Sequence, residues 1–101
     1  MEALFIVLTL EQIKNSAEEI AVRYPVKKIS LFGSFADGSA NENSDVDLLV
    51  EFSSPYVSLF LLSEIKIELE SILNADVDLI HAPIEEGSIL NIDEVVDIYE
   101  Q

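Results

Sequence analysis

The stretch that most restricts the fold is residues 45–52, Asp-Val-Asp-Leu-Leu-Val-Glu-Phe. Val46, Leu48, Val50 and Phe52 alternate with Asp45, Asp47, Leu49 and Glu51. Period two is the pattern of a strand with one face on a core. It predicts a sheet covered on one side, with Asp45 and Asp47 side by side on the other. Helical spacing flanks this strand. Thr9 followed by Gln12 is a capping box, and Leu10, Ile13, Ala17, Ile20 and Tyr24 share a face. A helix over about 10–23 follows, stopped by Pro25. A second helix over 58–73 turns Leu62, Ile65, Leu69, Ile72 and Leu73 inward, with Asn74 as its C-cap. Phe60 and Ile67 lie off that stripe and read as the flank of a wide buried face rather than as a partner-binding ridge. Residues 28–32 form a short strand in which Ile29 and Leu31 share a face. Residues 75–81 form another, with Val77 and Leu79 opposite Asp76, Asp78 and Ile80. After Pro83 and Gly87, the spacing of Ile89, Ile92, Val96 and Tyr99 predicts a closing helix. The apolar residues 3–8 fit a helix extension, an edge strand or a leader. The order α-β-β-α-β-α places the chain in the α/β (α+β) class, helices packed on a small mixed sheet.

A chain of 101 residues has room for one domain, over 1–101. Half of its residues are hydrophobic, which argues for a folded core despite the charge. Twenty acidic and five basic residues give a net charge of −15. Such a surface repels nucleic acid phosphates and suits a basic partner. With no cysteine, disulfides and thiolate metal centres are excluded. Residues 3–8 are too short an apolar run to span a membrane, and lack the basic start of a signal peptide. A soluble, cytoplasmic protein is the expectation.

The chemistry gathers in one segment. Adjacent carboxylates at Asp45 and Asp47 repel each other unless a cation lies between them. Hard oxygen ligands of this kind suit Mg²⁺, which takes one or two protein carboxylates plus substrate phosphates. Asp78 could complete a three-acid set from the next strand. Gly33 permits close approach to a ligand, and Ser34 is placed to cap a short turn beginning at Phe35. If the strands around residues 28–32 and 45–52 are antiparallel neighbours, the Gly-Ser loop and the acids share one end of the sheet. Each feature alone is ordinary: a strand-end Asp is usually solvated, and Gly-Ser is usually a turn. Their combination is not.

Leu-Phe-Gly-Ser-Phe-Ala and Ser-Asp-Val-Asp-Leu-Leu-Val, with ten residues between Gly33-Ser34 and Asp45, resemble the polymerase-β-like nucleotidyltransferase superfamily. Within it, the chain is similar to the minimal nucleotidyltransferases, the antitoxin half of HEPN–nucleotidyltransferase toxin–antitoxin pairs. The similarity runs over roughly residues 9–100. It implies a single minimal nucleotidyltransferase domain with Gly33 and Ser34 on nucleotide phosphates. Asp45, Asp47 and Asp78 would be the catalytic and Mg²⁺-binding acids, Asp78 also helping to activate the acceptor. The implied reaction is transfer of AMP from ATP to a tyrosine of a HEPN ribonuclease toxin, with which the protein forms a hetero-oligomer. No direct nucleic acid or membrane partner is implied. One position departs from the pattern. Where the family usually has Arg after Gly-Ser-x-Ala, this chain has Asp37, which removes a cation and sets an anion against the phosphates.

Three functions compete. The first is the adenylyltransferase. The second is a module of the same fold that silences its toxin by binding alone, which Asp37 and the negative charge favour. A third, a small-molecule nucleotidyltransferase, needs an acceptor pocket for which the chain is too short. His81 reads as a loop residue without a catalytic role, Tyr24 as a cover for the first helix, and Tyr99 as core.

Overall fold

Thr9 and Gln12 form both halves of their capping box. The Thr9 hydroxyl accepts from the Gln12 N–H at 3.1 Å, and Gln12 Oε1 accepts from the Thr9 N–H at 2.8 Å. Helix α1, Leu10–Ala21, starts there and buries Ile13, Ala17 and Ile20. The computed structural model describes residues 8–41, 43–54, 57–82 and 95–101. Beyond α1 these comprise strand β1 (Val26–Phe32), a single turn α2 (Ser34–Asp37), strand β2 (Val46–Phe52) and helix α3 (Leu59–Leu73). Strands β3 (Val77–Ala82) and β4 (Val96–Glu100) follow. The reading of residues 3–8 lies outside the described residues except at Leu8.

The four strands form one sheet in the order β3-β2-β1-β4. β1 is antiparallel to both β2 and β4, whereas β2 and β3 are parallel. Parallel neighbours need a long crossover, and α3 is that crossover. In β2 the alternation is complete: Val46, Leu48, Val50 and Phe52 are buried, and the residues between them are half-buried. Helices α1 and α3 pack on the covered face and against each other. Asp47, Leu49 and Glu51 are left on the open face.

Helix α3 starts at Ser58, whose hydroxyl accepts from the Leu61 N–H, and ends at Asn74 in the left-handed conformation (φ 52°). Ile65, Leu69 and Leu73 carry its core contact, with Leu62 partly buried. Ile72 falls outside the core, at 42% exposure. Phe60 and Ile67, expected as a buried flank, are 83% and 65% exposed. The cause is the narrowness of the seam: only the i, i+4, i+8 line of Ile65, Leu69 and Leu73 is buried, with Leu61 and Leu62 partly buried beside it. Tyr24 and Arg23 both hold Glu68 of α3, locking the end of α1 to its neighbour.

The closing helix needs correction. Residues 96–100 form strand β4, and the earlier part of the expected helix, with Pro83, Gly87, Ile89 and Ile92, lies outside the described residues. Val96 and Tyr99 fit helical spacing, yet the residue that is buried is Ile98, which fits only a strand. The run is β-branched and aromatic, and β1 would otherwise leave one edge of its backbone unpaired. The Ser30 hydroxyl donates to Asp97 Oδ1 at 2.8 Å across that pairing, and Lys28 pairs with the same carboxylate. Tyr99 is therefore a half-buried strand residue. His81 lies in β3, its ring edge-on to Phe52 with centroids 5.4 Å apart.

Candidate active site

Phe32, the last residue of β1, pairs with Asp47 of β2. Gly33 therefore passes directly beside the Asp47 carboxylate. Its φ is 77° and its ψ −155°, a region open essentially to glycine alone. An ideal Cβ built there would overlap Asp47 Oδ2 and lie 3.1 Å from Asp47 Cγ. The Gly of the Gly-Ser pair is thus required twice, by backbone angle and by closeness to an acid.

The turn after it differs from expectation. Gly33 occupies the cap position of α2 and Ser34 is the first residue inside the turn. The Ala36 and Asp37 N–H groups donate to the Gly33 carbonyl at 3.0 and 3.1 Å. Among the described residues, none holds the Ser34 hydroxyl. Asp37 is the last residue of the turn, exposed, and its Oδ1 accepts from both the N–H and the hydroxyl of Ser39. Those bonds hold its pKa below the usual carboxylate range. Asp37 therefore caps the exit of the turn rather than its start. The loop then runs through an Asn41–Ser44 reciprocal pair, Ser44 N–H to Asn41 O and Asn41 N–H to Ser44 Oγ, which delivers the chain to Asp45.

On the far side, the Glu70 carboxylate accepts from the Val77 N–H at 3.1 Å, and the Val46 N–H donates to the Asp76 carbonyl at 2.9 Å. These bonds set the start of β3 against the start of β2. The resulting register pairs Val46 with Val77 and Asp47 with Asp78. Asp47 and Asp78 are thus brought together, close enough for their carboxyl groups to hydrogen bond. The Asp47 carboxyl is pushed up to about 6, first by partial burial, then by the hydrogen bond and charge of Asp78 and by the charge of Asp45. Asp45 is exposed just before β2 and lines a neighbouring hollow with Glu70, Asn74 and Asp76. Among the described residues, no three acidic, His or Cys side chains converge into a ready metal cage. Oxygen donors near mutually repelling acids, one of them partly desolvated, nonetheless suit a hard divalent cation that completes its shell with phosphate oxygens.

Asp47 and Asp78 open onto a cleft of about 730 Å³, bounded by Phe32 and Ile80 and by Leu59, Leu62, Ser63 and Lys66 of α3. Lys66 had no assigned place in the sequence reading. The signal was present: no Lys or Arg occurs between residues 29 and 65 or after residue 66, so any basic side chain near the acids had to be this one or come from far along the chain. No helix among the described residues is long and apolar enough to cross a membrane.

Residues 10–99 match the nucleotidyltransferase domain family. Protein adenylyltransferase MntA of Thermococcus cleftensis is 40% identical over 77 residues, spanning 72% of this chain and 77% of its own. A chain of a toxin–antitoxin crystal structure with AMP-PNP superposes with a TM-score of 0.68 at 20% identity, covering 87% of this chain and 73% of that one. A chain of the complex between the tri-AMPylated HEPN toxin and MNT antitoxin of Shewanella oneidensis superposes with a TM-score of 0.66 at 18% identity, covering 90% and 72%. At these identities the two superpositions speak for the fold.

Proposed function

The chain belongs to the nucleotidyltransferase domain family, and from that premise we propose that it is the antitoxin of a toxin–antitoxin pair, transferring AMP from ATP to a tyrosine of a HEPN ribonuclease toxin with Mg²⁺. The observation that carries this reading is the register pair of Asp47 and Asp78, with Gly33 backed directly onto Asp47. It puts two acids and a glycine loop at one end of the sheet, where a nucleotide can meet an acceptor. The adenylyltransferase name of the Thermococcus relative and the AMPylated HEPN toxin in the Shewanella complex support the donor, the product and the partner.

In this reading the tyrosine oxygen attacks the α-phosphorus of ATP. The bond from that phosphorus to the bridging oxygen breaks, and pyrophosphate leaves. Held by Asp47 and Asp78 with Asp45 beside them, Mg²⁺ would shield the phosphates and ease deprotonation of the acceptor. Asp78 is the more exposed of the register pair, and it receives the acceptor's proton. Gly33 leaves room for phosphate against the backbone, and the unengaged Ser34 hydroxyl donates to a phosphate oxygen. Holding acceptor and donor in line is the largest service such a site can render.

Incubation with the cognate toxin, ATP and Mg²⁺, followed by intact-mass measurement, tests the proposal: the toxin gains one or more AMP groups. A second reading, neutralisation by occlusion, is favoured by the net charge of −15, which complements an RNA-binding surface. It predicts an unmodified toxin inside a stable complex.

A further inference from the structure

The proposed reaction expels pyrophosphate, so the cleft must meet negative charge beyond the phosphorus that the acids attend. A protein of charge −15 is poorly suited to this unless a cation is placed for the purpose. Three of its five basic residues are held in ion pairs, and a fourth lies away from the cleft. Arg23 pairs with Glu68, Lys27 with Glu51 and Lys28 with Asp97. Lys14 lies over a separate hollow between α1 and β4, among Glu18, Asp97 and Glu100. Only Lys66 lines the cleft that Asp47 and Asp78 share. It is exposed, one turn on from Leu62 and Ser63 along the same face of α3, and it forms no ion pair among the described residues. An unpaired lysine beside two carboxylates is a charge held for something else.

We propose that Lys66 binds the non-transferred phosphates of ATP, supplying from helix α3 the positive charge that the glycine loop of this chain lacks. The inference rests on the nucleotidyltransferase reading of the cleft. Its geometry has two parts. Lys66 is outside ion-pair distance of Asp47 and Asp78, so its ammonium does not sit on the acids that attend the reacting phosphorus. It lines the same cleft as those acids, and a lysine's four-carbon stem is long and flexible enough to seek phosphates bound there. The loop of residues 33–44 holds no Lys or Arg at all, and Asp37 is turned to Ser39. A lysine serves here as a point charge that can follow pyrophosphate as it leaves.

The test compares ATP and AMP, each with Mg²⁺, by calorimetric titration of the wild type, Lys66→Ala and Lys66→Arg. Thermal melts confirm that the variants fold, as expected for an exposed side chain. Lys66→Ala should weaken ATP on the order of tenfold, leave AMP unchanged, and recover most of the ATP affinity in Lys66→Arg. In turnover, the same substitution should raise KM for ATP more than it lowers kcat. Unchanged ATP affinity in Lys66→Ala, or equal losses for ATP and AMP, would overturn the assignment while leaving the nucleotidyltransferase reading intact. A wild-type protein that binds neither nucleotide would overturn both.

Discussion

Asp47 is the residue on which local chemistry turns. Partial burial and two neighbouring acids lift its carboxyl to about 6 from an ordinary 3.8. A carboxyl whose pKa is raised by folding holds its proton more tightly in the native state. Its contribution to stability is therefore favourable at low pH and is lost as pH rises from about 4 through 6. A divalent cation reverses that loss by favouring the ionised form. The Mg²⁺-induced rise in melting temperature should thus be largest above pH 7 and shrink as pH falls below 6, where protons compete for the same oxygens. Melts at pH 5 and pH 8, with and without Mg²⁺, measure this. In Asp45→Asn/Asp47→Asn the cation should have no effect at either pH, and equal shifts in wild type and double variant would place the cation elsewhere. Gly33→Ala addresses the same carboxylate from the other side. Forcing alanine into this backbone region costs about 1–3 kcal/mol before the overlap with Asp47 is counted. The variant should melt lower and lose its Mg²⁺ response. The strand that sets Asp47 on the open face and the turn at Gly33 were legible from the chain because their geometry is local, although the cap of that turn is Gly33 and not Ser34. The sequence offered Asp78 as a third acid from the next strand, but the register that sets it opposite Asp47 depends on where α3 delivers β3.

Among the elements, α1 and α3 are joined at one point by a carboxylate with two donors. Glu68 accepts from Arg23 Nη1 at 2.6 Å and from the Tyr24 hydroxyl at 2.5 Å. The hydrogen bond to Glu68 pushes the Tyr24 phenol up to about 12, with burial and the Glu68 charge adding to it. Glu68→Gln removes the charge but keeps the shape, so one tyrosine should then ionise at lower pH. Ultraviolet absorbance titration at alkaline pH reads this directly, since tyrosinate absorbs where tyrosine does not. An unchanged titration curve would mean that the contact does not persist in solution. The same helices show what periodicity can and cannot reveal. The cap at Thr9, the core line of α3 and the left-handed Asn74 follow from side-chain chemistry within a few residues. Strand β4 does not. Five residues with apolar groups at Val96, Ile98 and Tyr99 satisfy two periods at once, and the choice is made by the open edge of β1, whose partner residues lie 65 to 72 positions earlier in the sequence. The exposure of Phe60 and Ile67 has a similar origin, since the width of a helix's buried face is set by the sheet it meets.

At the scale of the whole molecule, the question is whether the acids work or the surface does. A net charge of −15 on 101 residues gives the protein a long-range attraction for any basic partner, which is screened by salt. That attraction acts equally in an enzyme and in a stoichiometric cap, so affinity for a toxin cannot separate them. Dose can. An adenylyltransferase turns over, and one molecule modifies many toxins, whereas an occluding module is consumed one for one. Asp78→Ala divides the two cases further. Asp78 is an exposed residue of the cleft lining and is not part of the core, so its removal should leave the fold and the wide binding surface intact. On the function proposed above it should nevertheless take away the group assigned to receive the acceptor's proton, for which losses of about 10²–10⁴ in rate are typical. The expected result is a variant that still co-purifies with the toxin, adds no AMP to it within the time the wild type reaches completion, and protects only at equimolar dose or above. The wild type should protect at a small fraction of that dose when ATP and Mg²⁺ are present, and lose this advantage when ATP is withheld. A variant that neutralises fully at low dose with no AMP on the toxin would place the protein's action in its surface rather than in its carboxylates.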